Sequence, residues 1–343
     1  MAHDDDAHPR IRALVRSALG RDVTGIEPVE AGLGSRRFFR VGLGRPGEPG
    51  SLVARVERDE DPSLRPPGVA PEPPLAPILT WLSSHDLPVP VCSAAGPGLM
   101  LLEDLGDTSL ESAAHSLPIE DLHALYLRAC DLVPRLQSLP PPASGLANFD
   151  RRLDEALFRY KADQFVEWVL PWAETNAGAE VVTDAFARIA EEARDAPQRL
   201  AHRDYKAANL HVQDNRLVMI DLQGALLAPP EYDLVCLLRD SQVELDEDFV
   251  KNALTAVRPL LPDAPTADAF ARRFTLLTLT RNGKDLSRYL WAAKVRDDPR
   301  YLRHVPRALE TLRAAAADAA GWDPAFARLA DVIASLSDLP CGP

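Results

Sequence analysis

Lysine is the scarcest of the charged residue types in this chain. Of its 38 Lys and Arg residues only five are lysines, and the first is Lys161, so a cation needed earlier in the chain has to be an arginine or the terminus. Cysteine is equally sparse: Cys92, Cys130, Cys236 and Cys341 are far apart and form no C-x-x-C pair, which favours reduced thiols over a disulfide framework. No apolar run reaches the ~18 residues of a membrane-spanning helix. The opening Met1-Ala2-His3-Asp4-Asp5-Asp6 has neither the basic nor the apolar region of a signal peptide, so a cytoplasmic protein is expected. A formal net charge of −13 argues against nucleic acid or an anionic membrane as partner, and no internal repeat is present.

What is present suits a globular protein. With 343 residues, 46% hydrophobic and 26% charged, the chain can bury a sizeable core in one large or two modest domains. Its most informative stretch is His202-Arg203-Asp204-Tyr205-Lys206-Ala207-Ala208-Asn209-Leu210-His211-Val212, a polar turn, and Leu217-Val218-Met219-Ile220-Asp221. Here a carboxylate precedes an amide by five positions, and an apolar strand then delivers a second carboxylate. Phosphoryl transfer from a nucleotide needs that set: one group to orient the attacking hydroxyl, and an amide and a carboxylate to hold magnesium against the phosphates. The pattern H-R-D-x-x-x-x-N followed by a strand ending in Asp is the kinase catalytic-loop signature. Singly, each residue is ordinary in a turn or cap; the joint spacing carries the assignment.

Upstream, residues 8–20 read as an amphipathic helix ending at Gly20. Strand, glycine turn and strand follow through Ala31-Gly32-Leu33-Gly34-Ser35. Gly32 and Gly34 let backbone N–H groups close over phosphates and Ser35 adds a donor, although the same residues suit a plain hairpin. Ser51-Leu52-Val53-Ala54-Arg55-Val56 is a third strand. In a kinase-like fold this strand carries a phosphate-binding lysine. With none available, Arg55 or Arg58 is the substitute, unless Arg55 is a surface strand residue.

Residues 59–74 read as a proline-rich loop. Glu72 opens a helix through Leu75, Ile78, Leu79, Trp81 and Leu82, where it either pairs with Arg55 or complements the helix dipole. An extended lead-in at 87–91 precedes a buried strand and linker at 98–106, whose backbone near Glu103 and Leu105 is a candidate to meet adenine. Helical periodicity then runs over 119–138, 150–173, 180–195, 265–292 and 305–318. Trp168 is assigned either to the core or to the substrate. Asp233 stands at a helix start, placed to brace the catalytic loop by accepting N–H bonds. The expected domains are 1–104 for the nucleotide and 105–343 for catalysis and substrate.

The catalytic loop, with Ile220-Asp221-Leu222-Gln223-Gly224-Ala225 and Tyr232-Asp233-Leu234-Val235-Cys236-Leu237-Leu238-Arg239-Asp240, resembles the aminoglycoside phosphotransferase superfamily. Within it the likeness is to the anomeric kinases of cell-wall sugar recycling, which phosphorylate N-acetylmuramate or N-acetylglucosamine at carbon 1. Those carry a D-F-Q-D-A metal motif and then Y-D-L-V-S-L-L-R-D. Phe165-Val166-Glu167-Trp168 is similar to their F-x-E-W, and Arg281-Asn282-Gly283-Lys284 to their Q-R-x-L-K. Arg296-Asp297-Asp298-Pro299-Arg300-Tyr301-Leu302, with Val305-Pro306-Arg307, is similar to R-D-G-K-x-x-Y-L…I-P-R. The likeness spans most of the chain and is strongest from 200 to 240. It departs at Thr280 (Gln in the family), Gly283 (Leu), Gly224 (Asp) and Lys206 (more often His), which bears on substrate identity more than on reaction type. The family also lacks the third-strand lysine.

The resemblance implies an α+β, bilobal protein-kinase-like fold: a small antiparallel β-sheet lobe and a larger, mainly α-helical lobe, with ATP between them. It implies ATP- and Mg²⁺-dependent phosphorylation of a small-molecule amino sugar. In this reading Asp204 orients the acceptor hydroxyl, Arg203 steadies the loop and Lys206 neutralises the moving phosphoryl group. Asn209 and Asp221 hold the metal. Arg281 and Lys284 either meet a substrate carboxylate, such as the lactyl group of muramate, or form a solvated helix face. The alternatives are a kinase of another small alcohol (an aminoglycoside, a choline-like amine, homoserine), a non-catalytic nucleotide-binding regulator, and a His202/Asp204 metallohydrolase with no further ligand cluster suitably spaced.

Overall fold

A computed structural model describes residues 6–29, 36–44, 50–57, 68–143, 145–174, 178–213 and 216–342. The phosphate-loop candidates Gly32, Gly34 and Ser35, and the substitute cation Arg58, lie outside these residues. The chain divides into two compact units, one comprising 1–65, 74–108 and 211–220, the other 66–73, 109–210 and 221–343.

The first unit opens with α1 (Ala7–Leu19), closed by Gly20 at φ 62°, whose N–H bonds to the Arg16 carbonyl. A five-stranded sheet follows: β1 (Val23–Val29), β2 (Arg37–Leu43), β3 (Ser51–Val56), β4 (Cys92–Gly96) and β5 (Leu99–Glu103), in spatial order β1-β2-β3-β5-β4 and antiparallel throughout. Strand alternation puts Phe39, Val41 and Leu43, then Leu52, Ala54 and Val56, then Leu99 and Leu101 into one core, which α1 covers with Ala7, Ile11 and Val15. Arg55 falls on the other face of β3, buried and paired in register with Met100.

Between β3 and β4 in sequence, α2 (Leu75–Ser83) buries Leu75, Ile78, Leu79 and Leu82. The helix begins three residues after Glu72 rather than at it, because a residue preceding proline, here Pro73, is pushed out of the helical region. The strand after 87–91 likewise begins only at Cys92, since Pro88 and Pro90 offer no N–H to a ladder.

The second unit contains α3 (Leu110–Ala114), α4 (Ile119–Gln137), α5 (Glu155–Trp168), α6 (Ala179–Asp195) and β6 (Arg199–Ala201). The long helix expected over 150–173 is cut short at both ends. Asp154 caps α5 by accepting the Leu157 N–H, and Pro171 sits in a separate 3-10 turn, Leu170–Trp172. After β6 the chain returns to the first unit as the hairpin β7 (Leu210–Gln213) and β8 (Arg216–Met219), attached through Val212 N–H to Thr108 O (2.8 Å) and Met219 N–H to Pro88 O (2.9 Å).

Back in the helical unit, β9 (Leu226–Ala228) pairs antiparallel with β6; both are three-residue strands, too short for periodicity to reveal. Then come α7 (Tyr232–Leu238), α8 (Glu247–Val257), α9 (Ala267–Val295), α10 (Val305–Ala319) and α11 (Pro324–Ala334). The 29-residue α9, about 43 Å long, is wrapped by α5, α7 and α10 and buried on almost every side, so it shows no narrow apolar stripe. Midway along it, a Cβ on Gly283 would stand 3.0 Å from the Phe165 ring; glycine here lets α5 close onto α9. No helix among the described residues is long and apolar enough to cross a membrane.

Leu101, 0% exposed in the central part of the sheet, gives a direct test of the first core. Replacing it with alanine is expected to lower unfolding free energy by about 2–5 kcal/mol, read as a lower urea midpoint at unchanged slope.

Candidate active site

The catalytic loop joins β6 to β7 and contains one 3-10 turn, Ala207–Asn209. Its backbone donors are met by two buried carboxylates at the ends of α7. Asp233, in the first turn, accepts the N–H of His202 (2.7 Å) and of Arg203 (3.0 Å). Asp240, just past the last turn, accepts the N–H of Ala207 (3.1 Å) and of Gln242 (3.1 Å). Between these anchors Arg203 is held at φ 79°, a conformation that costs a non-glycine residue about 1–2 kcal/mol. Tyr205 adds a third tie, donating to the Ala129 carbonyl of α4 at 2.8 Å. Burial pushes the Asp233 carboxyl upward against the lowering effect of His202 and the two N–H bonds. Burial also pushes Asp240 up to about 6, with Lys206 opposing.

Asp204 projects from this braced loop. Arg281 Nη2 of α9 lies 3.2 Å from its Oδ1, and Asn209 Nδ2 donates to its carbonyl (2.9 Å) and its Oδ2 (3.4 Å). Enclosure by protein works to raise its pKa, but the positive charges of Arg281, Lys206 and Lys284 prevail and hold the carboxyl well below the usual range. It is therefore ionised at any physiological pH. Lys206 reaches Gln242 Oε1 at 3.4 Å; burial opposes its charge, and Asp204 with Asp240 more than compensate, raising its pKa.

Asp221 starts the turn after β8 at φ 65°, its Oδ1 accepting from Gln223 Nε2 at 2.6 Å. Asn148 Nδ2 donates to the carbonyls of Gln223 and Ala225, and Arg151 Nη1 to that of Gly224. A side chain at Gly224 would stand 3.3 Å from both Arg203 Nη1 and Glu72 Oε1, which themselves pair at 3.0 Å. A larger residue at 224 would therefore require that ion pair to give by a few tenths of an ångström. The donor set fits magnesium: Asn209 spends its nitrogen on Asp204, so its oxygen remains, and Asp221 supplies a carboxylate. Hard oxygen donors, with only one or two carboxylates, are what Mg²⁺ takes beside phosphates. Among the described residues no group of three or more His, Cys, Asp or Glu is placed to hold a metal ion, so the metallohydrolase alternative gains no ligand set there.

The nucleotide candidates of the first unit are differently placed. Arg55 has Met100 Sδ at 3.7 Å and pairs with Glu57, while Glu72, in the other unit, is bonded to Arg203. The Glu103 N–H is already committed to the Val91 carbonyl (2.8 Å) and is not available to adenine; the main chain of Leu105 makes no hydrogen bond among the described residues. Asp104 is fixed beside it by Arg40 (2.8 Å) and Ser51 (2.6 Å).

Of the substrate candidates, Arg281 bridges Asp204 and Asp285 (3.3 Å), and Lys284 follows one turn later. Trp168 instead lies against Lys294, 5.9 Å from ring centre to ammonium, about 15 Å of helix beyond Lys284.

Sequence reasoning missed Asn148, the anchoring role of Asp240, Asp285 and above all Lys161. Lys161 is 5% exposed, donates to Tyr232 OH at 3.2 Å and lies over the rings of Phe158 and Tyr232. Burial, then Lys284 nearby, lowers its pKa to about 7. Its helical phase with Leu157, Phe158 and Phe165 was the available signal that it faces inward.

An antiparallel sheet unit and a helical unit bearing a braced H-R-D-x-x-x-x-N loop define a phosphotransferase of protein-kinase-like fold. Residues 25–270 match the model of the Phosphotransferase enzyme family, and the chain belongs to that family. It is 28% identical over 251 residues, 70% of each chain, to the N-acetylmuramate/N-acetylglucosamine kinase of Pseudomonas aeruginosa. It is also 28% identical over 266 residues to the kinase of the same name from Pseudomonas putida, covering 74% of this chain and 75% of the relative. Choline kinase LicA of Streptococcus pneumoniae, 13% identical, shares the fold with a TM-score of 0.62 over 90% of this chain and 99% of its own. The family resemblance and the α+β kinase-like class read from the residues are thus borne out.

Two measurements test this description. Asp233→Ala removes two bonds to a charged acceptor and is expected to destabilise the protein by about 3 kcal/mol or more, read by chemical denaturation. Lys161 binds its proton less tightly folded (about 7) than unfolded (10.5). The folded state therefore carries fewer protons between those values, and stability gains with rising pH across that window, by up to about 1.4 kcal/mol per pH unit. Relative to Lys161→Met, the wild-type unfolding free energy should climb from pH 7 to 10; a parallel pair of profiles would contradict the assignment.

Proposed function

We propose that this protein transfers the terminal phosphoryl group of ATP to the anomeric hydroxyl of an amino sugar of the N-acetylmuramate/N-acetylglucosamine type. The observation that carries the reading is Asp204, a carboxylate kept ionised by Arg281 at 3.2 Å and steadied by Asn209 in a loop bonded at both ends to buried aspartates. The names of relatives at 28% identity support the sugar class.

When bound, the magnesium nucleotide supplies the transferable phosphoryl group, with Asn209 and Asp221 as the proposed metal ligands. Asp204 accepts a hydrogen bond from the acceptor hydroxyl and fixes its direction of attack. A carboxylate with so low a pKa is a weak base, which suits a loose transition state where the hydroxyl proton leaves late. Lys206 stands beside Asp204 to neutralise charge on the moving group, and Arg203, tied to Glu72, keeps the loop in register. Arg55, standing in for the missing strand lysine, and the main chain of Leu105 are the proposed nucleotide contacts of the first unit, with Gly32, Gly34 and Ser35.

Asp204→Asn is expected to lower kcat by about 10²- to 10⁴-fold while nucleotide affinity, measured by calorimetric titration, stays within a few-fold. Near-wild-type turnover would exclude Asp204 as the orienting group. Phosphorus NMR of the product from N-acetylmuramate and ATP should show a phosphate coupled to the anomeric proton; a 6-phosphate would contradict the proposed position.

A further inference from the structure

Positive charge is in excess at the middle of α9. Arg281 and Lys284 stand one turn apart on one face of that helix. Arg281, 2% exposed, has its charge met by Asp204 at 3.2 Å and Asp285 at 3.3 Å. Lys284 has no such answer: among the described residues no hydrogen bond or ion pair engages its ammonium, while Arg281 and Lys161 both lie within electrostatic reach. Among the described residues Lys161 itself finds the Tyr232 hydroxyl and two ring faces. Three basic side chains (Lys161, Arg281, Lys284) thus share two carboxylates, Asp204 and Asp285, and Lys161, with its pKa at about 7, is about half protonated at neutral pH. Lys206 and Asp240, close by, offset one another.

The same cluster holds two buried polar atoms with no partner among the described residues, Asp285 Oδ2 and Nε of Arg281, while Asp204 Oδ1 and Arg281 Nη1 are met only by ion-pair contacts of 3.2 and 3.3 Å. Folded proteins satisfy about nine in ten such groups, and an uncompensated cation in this setting is costly. Such a cluster beside the orienting carboxylate marks a place completed by a polar, anionic ligand group. Burial and Arg281 bring the Lys284 pKa down to about 8, against the partial support of Asp204 and Asp285.

We propose that Lys284 is a specificity residue that receives a carboxylate of the acceptor, and so favours a sugar acid over its neutral counterpart. The proposal rests on the amino-sugar reading above and deepens it. N-acetylmuramate carries a lactyl carboxylate on carbon 3, where N-acetylglucosamine has a hydroxyl. A compact ammonium with three donors suits that group, and Arg281, already engaged on both sides, does not compete for it.

The test compares kcat/KM for the two sugars in wild type, Lys284→Met and Lys284→Arg. In Lys284→Met the ratio of N-acetylmuramate to N-acetylglucosamine should fall tenfold or more, mainly through KM for N-acetylmuramate, and Lys284→Arg should restore most of it. The methyl ester of N-acetylmuramate, tried on the unaltered protein, should show a KM at least tenfold above that of the acid, independently of how the variants fold. Equal losses on both sugars, or ester and acid within twofold of each other, overturn the carboxylate site and leave the sugar kinase standing. A wild-type protein that phosphorylates neither sugar overturns the amino-sugar reading and this proposal with it.

Discussion

The carboxylate of Asp233 takes the two backbone N–H groups that the catalytic loop cannot satisfy for itself, and the rest of the site is built outward from that bond. Because it holds His202 and Arg203 at the β6 end while Asp240 holds Ala207 at the other, the residues between them have little conformational freedom. Arg203 can then persist in a left-handed conformation that an unbraced loop would abandon. The short helix α7 sets the spacing of the two anchors, so the distance across the loop is set by a rigid element rather than by the loop.

Electrostatics follows from that geometry. Asp233 and Asp240, enclosed on all sides, are pushed toward their neutral forms. Asp204, about a third exposed and facing Arg281, Lys206 and Lys284, is driven to the ionised form. One loop and one helix thus separate three aspartates into two electrostatic states, two braces pushed up in pKa and one carboxylate held ionised, by the charge of their neighbours. The central helix α9 supplies much of that charge. Its middle carries buried Arg281 and Asp285 and half-buried Lys284 where a purely structural helix would carry leucines, and Gly283 between them lets α5 bring Lys161 close.

A good part of this was legible in the chain. The spacing of Asp204, Asn209 and Asp221 is local, and the bracing role of Asp233 followed from an acidic residue at a helix start. Helices α1, α4 and α6 have amphipathic faces and were readable to within a residue or two at each end. Less legible were β6 and β9, each three residues long and paired through contacts distant in sequence, and the break of the 150–173 helix, where an N-cap at Asp154 and Pro171 outweigh the periodicity. Glu72 is the instructive residue. Its sequence position suggests the helix that follows, yet Pro73 keeps it extended and Arg203, 131 positions away, claims its carboxylate.

By itself the sequence determined the reaction class, because the residues proposed to carry phosphoryl transfer, Asp204, Asn209 and Asp221, lie within twenty positions of one another in a recognisable spacing. Tertiary structure alone decided which charges face Asp204. Arg281, Lys284 and Lys161 come from two other helices, and their burial together is a property of how α5 packs on α9 across Gly283. Linear order holds no record of that packing, since a lysine on a helix reads the same whether its face meets water or a carboxylate.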